Sequence, residues 1–572
     1  MRLMISRMIS VAVFLFVVVP TVSFAQSAYD RALESAGNGD YATAVIHIRE
    51  AMKGSPNEET IGLAANIYLE LESFDTAVVY AKRLYEEDDD NAAYVRLYAK
   101  TLIAAQRAPE AVTILRKQIK KEPDVNSYLV LVDALLGADS VSAAELVATT
   151  AKQKFSKEAN AYLALGNLYF NYKPQPVLEL AVKNYEEALK LEPALVQAHF
   201  NLAQSYWKMA NRESDEDLGN ELFKRSLQEW NEVSQLDPSN ARAWFEQGKI
   251  FYLAKRYGDA AKALTEYRKL RPVGTGNPLA SWYLGKSFYE MRLCDSARVH
   301  LDDAAAQVDS VRPLATLYMA RCFIFTKDFK GATAKYAATN PTVMEGSDYW
   351  YQGSALVLTG DTVGAMTAMD KGVELDPSQC ALMFRYGALL SSKAMYTKSS
   401  SVFRKRLESC SDSLDARVLA FIGNNFFADS LVDSAEAYYR KAVLKDSVNP
   451  YFINRLAEVA TIKGDAQGAK ALYEKAITLG TISEAQADKV QAEVALGKLA
   501  GIGLQEKDWS GIIGTSKRLV TLNPKSLLGW IYLGVGHQGA SNKDEACKAY
   551  REALKIDPNN KTAKDNLKGL GC

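Results

Sequence analysis

A chain of 572 residues with 68 basic and 68 acidic side chains carries no formal net charge. Apolar residues at 48% and charged residues at 24% are ordinary for a folded soluble protein, which excludes wholesale disorder and collagen-like structure. Neutrality also argues against a general nucleic-acid binder, whose phosphate contacts require an excess of Lys and Arg.

The N-terminus reads as an export signal. Arg2 and Arg7 precede the apolar run Met8 to Pro20, and Ser23-Phe24-Ala25 places small residues three and one positions before a cleavage point. The run is too short to span a bilayer with ease, since about 20 apolar residues are needed. No Cys stands near the cleavage point to accept a lipid. Residues 1–25 are therefore expected to be removed between Ala25 and Gln26. No later segment is apolar enough to insert in a membrane. The mature chain should be exported, to a periplasm, a cell surface or the medium.

Beyond residue 26 the organising feature is self-similarity. Trp244 and Trp530 are each followed by Gly four residues on (Gly248, Gly534), by Ala twelve further (Ala260, Ala546), and by a closing Pro (Pro272, Pro558). Apolar spacings of three and four support helices throughout, and the Pro stops the second helix of each unit. The same frame runs from Ala44 and Pro56, through Gly166 with Ala188, Gly285 with Ala297, Gly353 with Pro377 and Gly423 with Ala435, to Pro558. It yields roughly fifteen units. The insertion Asn211–Leu222 lengthens one unit, and Val273–Asn277 lengthens a connection. Residues 26–477 form the main array. Residues 478–490, including Thr478–Asp488, are expected to be an irregular connection or hinge before the units of residues 491–558, with residues 559–572 as a capping helix.

These landmarks resemble the tetratricopeptide repeat, a helix–turn–helix of about 34 residues. The resemblance implies an all-α, right-handed α-solenoid in which each unit buries its apolar face against the next. It also implies a protein-binding role. In the family frame the fifth, ninth and twelfth residues of each first helix face a concave groove. The fifth positions are Phe200, Phe245, Trp282, Leu317, Trp350 and Phe384. The twelfth are Trp207, Tyr252 and Tyr289, and the ninth are Lys249, Lys286 and Arg321. They would form a cation ladder beside an aromatic strip, suited to an extended peptide or acidic segment. Many members of the family hold a terminal carboxylate with a Lys–Asn/Asn/Lys–Arg clamp. Asn167, Asn201 and Arg242 match part of it, but Leu163 and Glu246 replace the first Lys and last Arg. The resemblance points to a scaffold or adaptor in envelope assembly or secretion. An alternative is a carbohydrate-binding or polysaccharide-export accessory protein, since aromatic strips also fit sugar faces.

Six Cys remain after residue 25. In antiparallel helix pairs, residues equidistant from a turn face one another. The midpoints of Cys294–Cys322, Cys380–Cys410 and Cys547–Cys572 fall at or near expected turns. All three pairs are expected as disulfides, each worth about 3 kcal/mol by loop closure. An exported chain permits them.

Catalytic signatures are missing. The four His (His47, His199, His300, His537) form no HExxH, and no phosphate loop, GxSxG elbow, CxxC pair or kinase set occurs. Neither an enzyme nor a metal or organic cofactor is expected. N-terminal sequencing of the protein from its native compartment should begin at Gln26, and a chain retaining Met1 would refute the signal assignment.

Overall fold

The turns between helices repeat as regularly as the helices do. In thirteen of the hairpin turns one residue takes a left-handed backbone, and at ten of them, among them Glu72, Lys255, Arg292 and Ala394, it is not glycine. It ends one helix and swings the chain into the next within three residues. Several second helices then begin with an Asp cap. Asp361, Asp465 and Asp508 accept from the backbone N–H of Gly364, Gly468 and Gly511. This side chain satisfies a donor that the helix leaves open.

The computed structural model describes residues 27–572 except 55, 273 and 413; the expected signal segment lies outside them. Among the described residues every regular element is helical. They run from α1 (27–37) and α2 (Tyr41–Ala51) to α30 (Lys543–Ile556) and α31 (Lys561–Leu570). The protein is all-α, and α1–α30 form fifteen hairpins. Two compact units divide at Val343 and Met344. The first holds nine hairpins, the second six and α31. No described helix is long and apolar enough to cross a membrane.

Within each unit, neighbouring helices pack side by side, and at most steps first helices also pack on first helices of the next hairpin. Contacts of similar extent between successive second helices do not occur. The stack therefore curves with its first helices inside. Close approach within a hairpin relies on small residues. A Cβ on Gly387 or Gly423 would lie 2.6 Å from the ring of Phe403 or Tyr439 on the paired helix. Each such ring is fully buried, a burial worth about 2 kcal/mol or more.

Two expectations need correction. Residues 478–490 are not irregular: α26 (Ala466–Ile482) runs on, and only three residues separate it from α27 (Gln486–Glu506). Thr481 bonds back to the carbonyl of Ile477, and Ser483 donates to Asp488 at 2.7 Å, so the breaker-like residues support the helix ends. The third disulfide is also not formed. Cys380–Cys410 and Cys547–Cys572 are bonded, whereas Cys294 and Cys322 are buried free thiols in one apolar cluster with Ala297, Leu301 and Met319. Burial, then the adjacent Cys294, pushes the Cys322 thiol well above its ordinary range.

In the second unit, Arg406 is fully buried beside the Cys380–Cys410 bond. Its Nε donates to the carbonyl of Cys380 at 2.9 Å, and its terminal nitrogens reach Asp412 at 2.5 Å and Asp415 at 3.5 Å. Removing the guanidinium would leave Asp415 without its cation. Arg406→Met is expected to lower stability by about 3 kcal/mol, read from urea unfolding with both disulfides intact. An unchanged midpoint would show that desolvation of the pair cancels its attraction.

Candidate partner-binding surface

Four consecutive first helices of the first unit build an aromatic strip: α11 (Val196–Ala210), α13 (Ala241–Leu253), α15 (Leu279–Glu290) and α17 (Arg312–Phe325). Trp207 stacks edge-on to Phe223 at 5.0 Å, and Lys249 from the next first helix lies 4.2 Å above its ring. Tyr252 meets Tyr283 at 5.0 Å. Tyr318 then gathers Tyr289 at 4.6 Å, Trp282 at 6.0 Å and the ammonium of Lys286 at 4.0 Å. Arg321 lies 5.5 Å from the same ring and donates to the Tyr289 hydroxyl. Phe200 is half-buried, edge-on to Trp230 at 5.0 Å and beneath Arg242 at 5.3 Å. Burial pushes the Tyr252 hydroxyl up to about 12, so it stays a neutral donor.

The cations are less available than the spacing suggests. Lys249 pairs with Glu246 and Lys286 with Glu290 on their own helices. Only 18% and 12% of their side chains are exposed. Each is spent between a carboxylate and a ring face, an arrangement worth about 0.5–2 kcal/mol when desolvated. The strip offers aromatic surface more than charge.

Only some of the fifth positions take the role expected of them. Phe245, Leu317 and Trp350 are buried. Phe245 packs on Tyr267 across its hairpin at 5.4 Å. Trp350 belongs to the second unit and is fully buried, its indole N–H donating to the carbonyl of Asp376 at 3.0 Å. Gly372 on the paired helix makes the room: a Cβ there would sit 2.8 Å from the indole. Phe384, also of the second unit, lies against Phe403 and Phe421. Trp350 and Phe384 thus pack within the second unit. Tyr283 and Tyr318 join the strip, although neither holds a fifth, ninth or twelfth position. Each stands one residue after a fifth position, and one helical step of about 100° turns a side chain from the hairpin interior toward the neighbouring first helix.

The partial carboxylate clamp is occupied by its own residues. Asn201 donates to Asn167 at 2.8 Å, and Asn167 donates to Asp133 at 2.9 Å, a ladder with a 34-residue step. Tyr185 also donates to Asn167. Leu163 is buried, and Glu246 faces Arg242 at 4.0 Å. A carboxylate and an apolar side chain thus stand where a clamp needs cations. Among the described residues no three His, Cys, Asp or Glu side chains are grouped to hold a metal. His199 bonds to Glu229 and to the carbonyl of Pro193, and His300 stacks on Phe288.

Models of the tetratricopeptide repeat match residues 68–132, 178–209, 211–274 and 528–560. The chain is 22% identical over 242 residues to Hsp70-Hsp90 organizing protein 3 of Arabidopsis thaliana, covering 41% of this chain and 40% of that one. It is 30% identical over 105 residues to heat shock protein STI1 of Saccharomyces cerevisiae, covering 18% of each. The chain thus spans less than half the length of either relative. The APC/C hetero-tetramer Cut9-Hcn1 is a structural likeness at 14% identity and a TM-score of 0.30, covering 90% of this chain and 96% of that one.

The polar ladder carries a pH signature. Burial raises the Asp133 carboxyl from 3.8 to about 6, against the opposing pull of the Asn167 amide and Lys100. The folded protein therefore holds a proton that the unfolded chain releases at lower pH. Stability from this group is full below about pH 4 and is lost as pH rises through about 6, by up to roughly 3 kcal/mol. Asp133→Asn should be more stable than wild type at pH 7, and the gap should close by about pH 4. Urea melts at both values test this; a pH-independent gap would contradict it.

Proposed function

Taking the chain as a tetratricopeptide-repeat protein, a scaffold for protein interactions, we propose that it is an exported adaptor. It holds an extended peptide segment of a partner along the first helices of its first unit, in the service of envelope assembly or secretion. The observation that carries this reading is the set of half-buried rings on four successive first helices, Phe200 and Trp207, then Tyr252, then Trp282 and Tyr283, then Tyr318, with Lys249 bridging the first step. Large rigid rings give contact area at little entropic cost and dominate many interfaces. The paired Lys and Glu side chains beside them offer donors and acceptors to a peptide backbone without selecting strongly for charge. The reading assigns no catalytic step.

Export is supported by the signal-like residues 1–25 and by two disulfides, which persist in oxidising compartments. The carbohydrate alternative shares the same rings, and one experiment separates the two. A displayed peptide library is selected on the purified protein, and a glycan array is probed in parallel. Trp282→Ala and Tyr318→Ala should each weaken the selected peptides by about thirtyfold, near 2 kcal/mol, with unchanged helicity. Glycans bound in place of peptides, or peptide affinity indifferent to both substitutions, would overturn the adaptor reading.

A further inference from the structure

Arg271 follows the last residue of α14 (Tyr257–Leu270), in the seventh hairpin. Its guanidinium donates to the carbonyl of Gly39 at 2.9 Å, a partner 232 positions earlier, in the turn of the first hairpin. The same guanidinium lies 5.1 Å from the ring centroid of Tyr41. Gly39 has a left-handed backbone (φ +73°), and a Cβ there would come within 2.9 Å of both the Leu270 side chain and the carbonyl of Ser239. Glycine at this turn is thus what allows two distant edges of the stack to touch. Glu70, at the end of α3 (Glu58–Glu70), and Asp237, before the seventh hairpin, add charge on either side of Tyr41 and Arg271.

These residues belong to opposite edges of one coil. The first unit curves with its first helices inside, and by the seventh hairpin its edge has come round to meet the first two. We infer that the inner face of hairpins one to seven is an enclosed lumen, latched by Arg271 on Gly39 and Tyr41, which admits an extended polypeptide and excludes folded domains. The closure rests on the seam alone; only the polypeptide nature of the occupant rests on the adaptor reading. Since Phe200, Trp207 and Tyr252 stand on the sixth and seventh first helices, the aromatic strip starts within this walled stretch. The latch is one guanidinium on a carbonyl and a ring, so it can open without unpacking any hairpin.

The test needs no ligand. Gln204→Cys puts a thiol on the inner row, where Gln204 now accepts from Arg242 of the next first helix. Leu146→Cys puts one on α8 (Val141–Lys154), a second helix, at a side chain 70% exposed. Four native cysteines are bonded and do not react with N-ethylmaleimide, and reaction of the two buried thiols, Cys294 and Cys322, would report unfolding. Each variant is treated with N-ethylmaleimide and with a maleimide fixed to a folded carrier domain. The small reagent should label both sites. The carrier should label Cys at 204 about tenfold more slowly than Cys at 146, after correction for the small-reagent rates. Arg271→Ala or, separately, Tyr41→Ala should restore most of the difference. Equal carrier rates with the latch intact would overturn the lumen, and exclusion that survives both substitutions would overturn the latch. Loss of the closure leaves the peptide selection unaffected, and failure of that selection leaves the closure standing.

Discussion

A single hairpin of this protein cannot bury its own apolar face, and the architecture follows from how that face is shared. On one side of the contact stands a glycine or alanine of a first helix, on the other a ring or a leucine of the second. Gly423 against Tyr439 and Gly387 against Phe403 are direct cases. The two helices approach until the ring is enclosed, and the next hairpin covers what remains. Because first helices then lie nearer to one another than second helices, each added hairpin within a unit turns that unit's stack the same way. Curvature is thus a product of side-chain size and requires no special joint.

The same crowding decides the chemistry of the inner face. Lys249 and Lys286 reach rings on neighbouring helices and are neutralised by Glu246 and Glu290, so little free charge is left. What faces inward is aromatic, flanked by satisfied polar groups. Along the earlier hairpins, Asp133, Asn167 and Asn201 hand hydrogen bonds from one helix to the next. This face thus offers shape and ring surface, with charge only in a secondary part. This is consistent with a scaffold whose formal net charge is zero.

Much of the fold was legible in advance because its causes are local. The Trp–Gly–Ala–Pro register predicted hairpins of about 34 residues, and the described residues form fifteen. The Cys380–Cys410 and Cys547–Cys572 pairs followed from distance to a turn. The same rule failed at Cys294 and Cys322, which do share a cluster but serve there as small apolar side chains. The misplaced site residues have a comparable explanation. Trp350 sank into its hairpin because Gly372 left space opposite, and Phe245 is buried against Tyr267, which holds the matching position in the earlier hairpin. A pattern that weighs only the first helix does not register what the second helix leaves empty.

The order of helices, their caps and their small-to-large pairings are written in stretches of 34 residues or fewer, since each depends on neighbours along the chain. Which rings stay half-exposed, which lysines are consumed by rings and carboxylates, and where the coil meets itself are settled between hairpins. Gly39 and Arg271 touch only because small rotations add up over six intervening steps. No single repeat encodes that sum, and folding alone brings the two edges together.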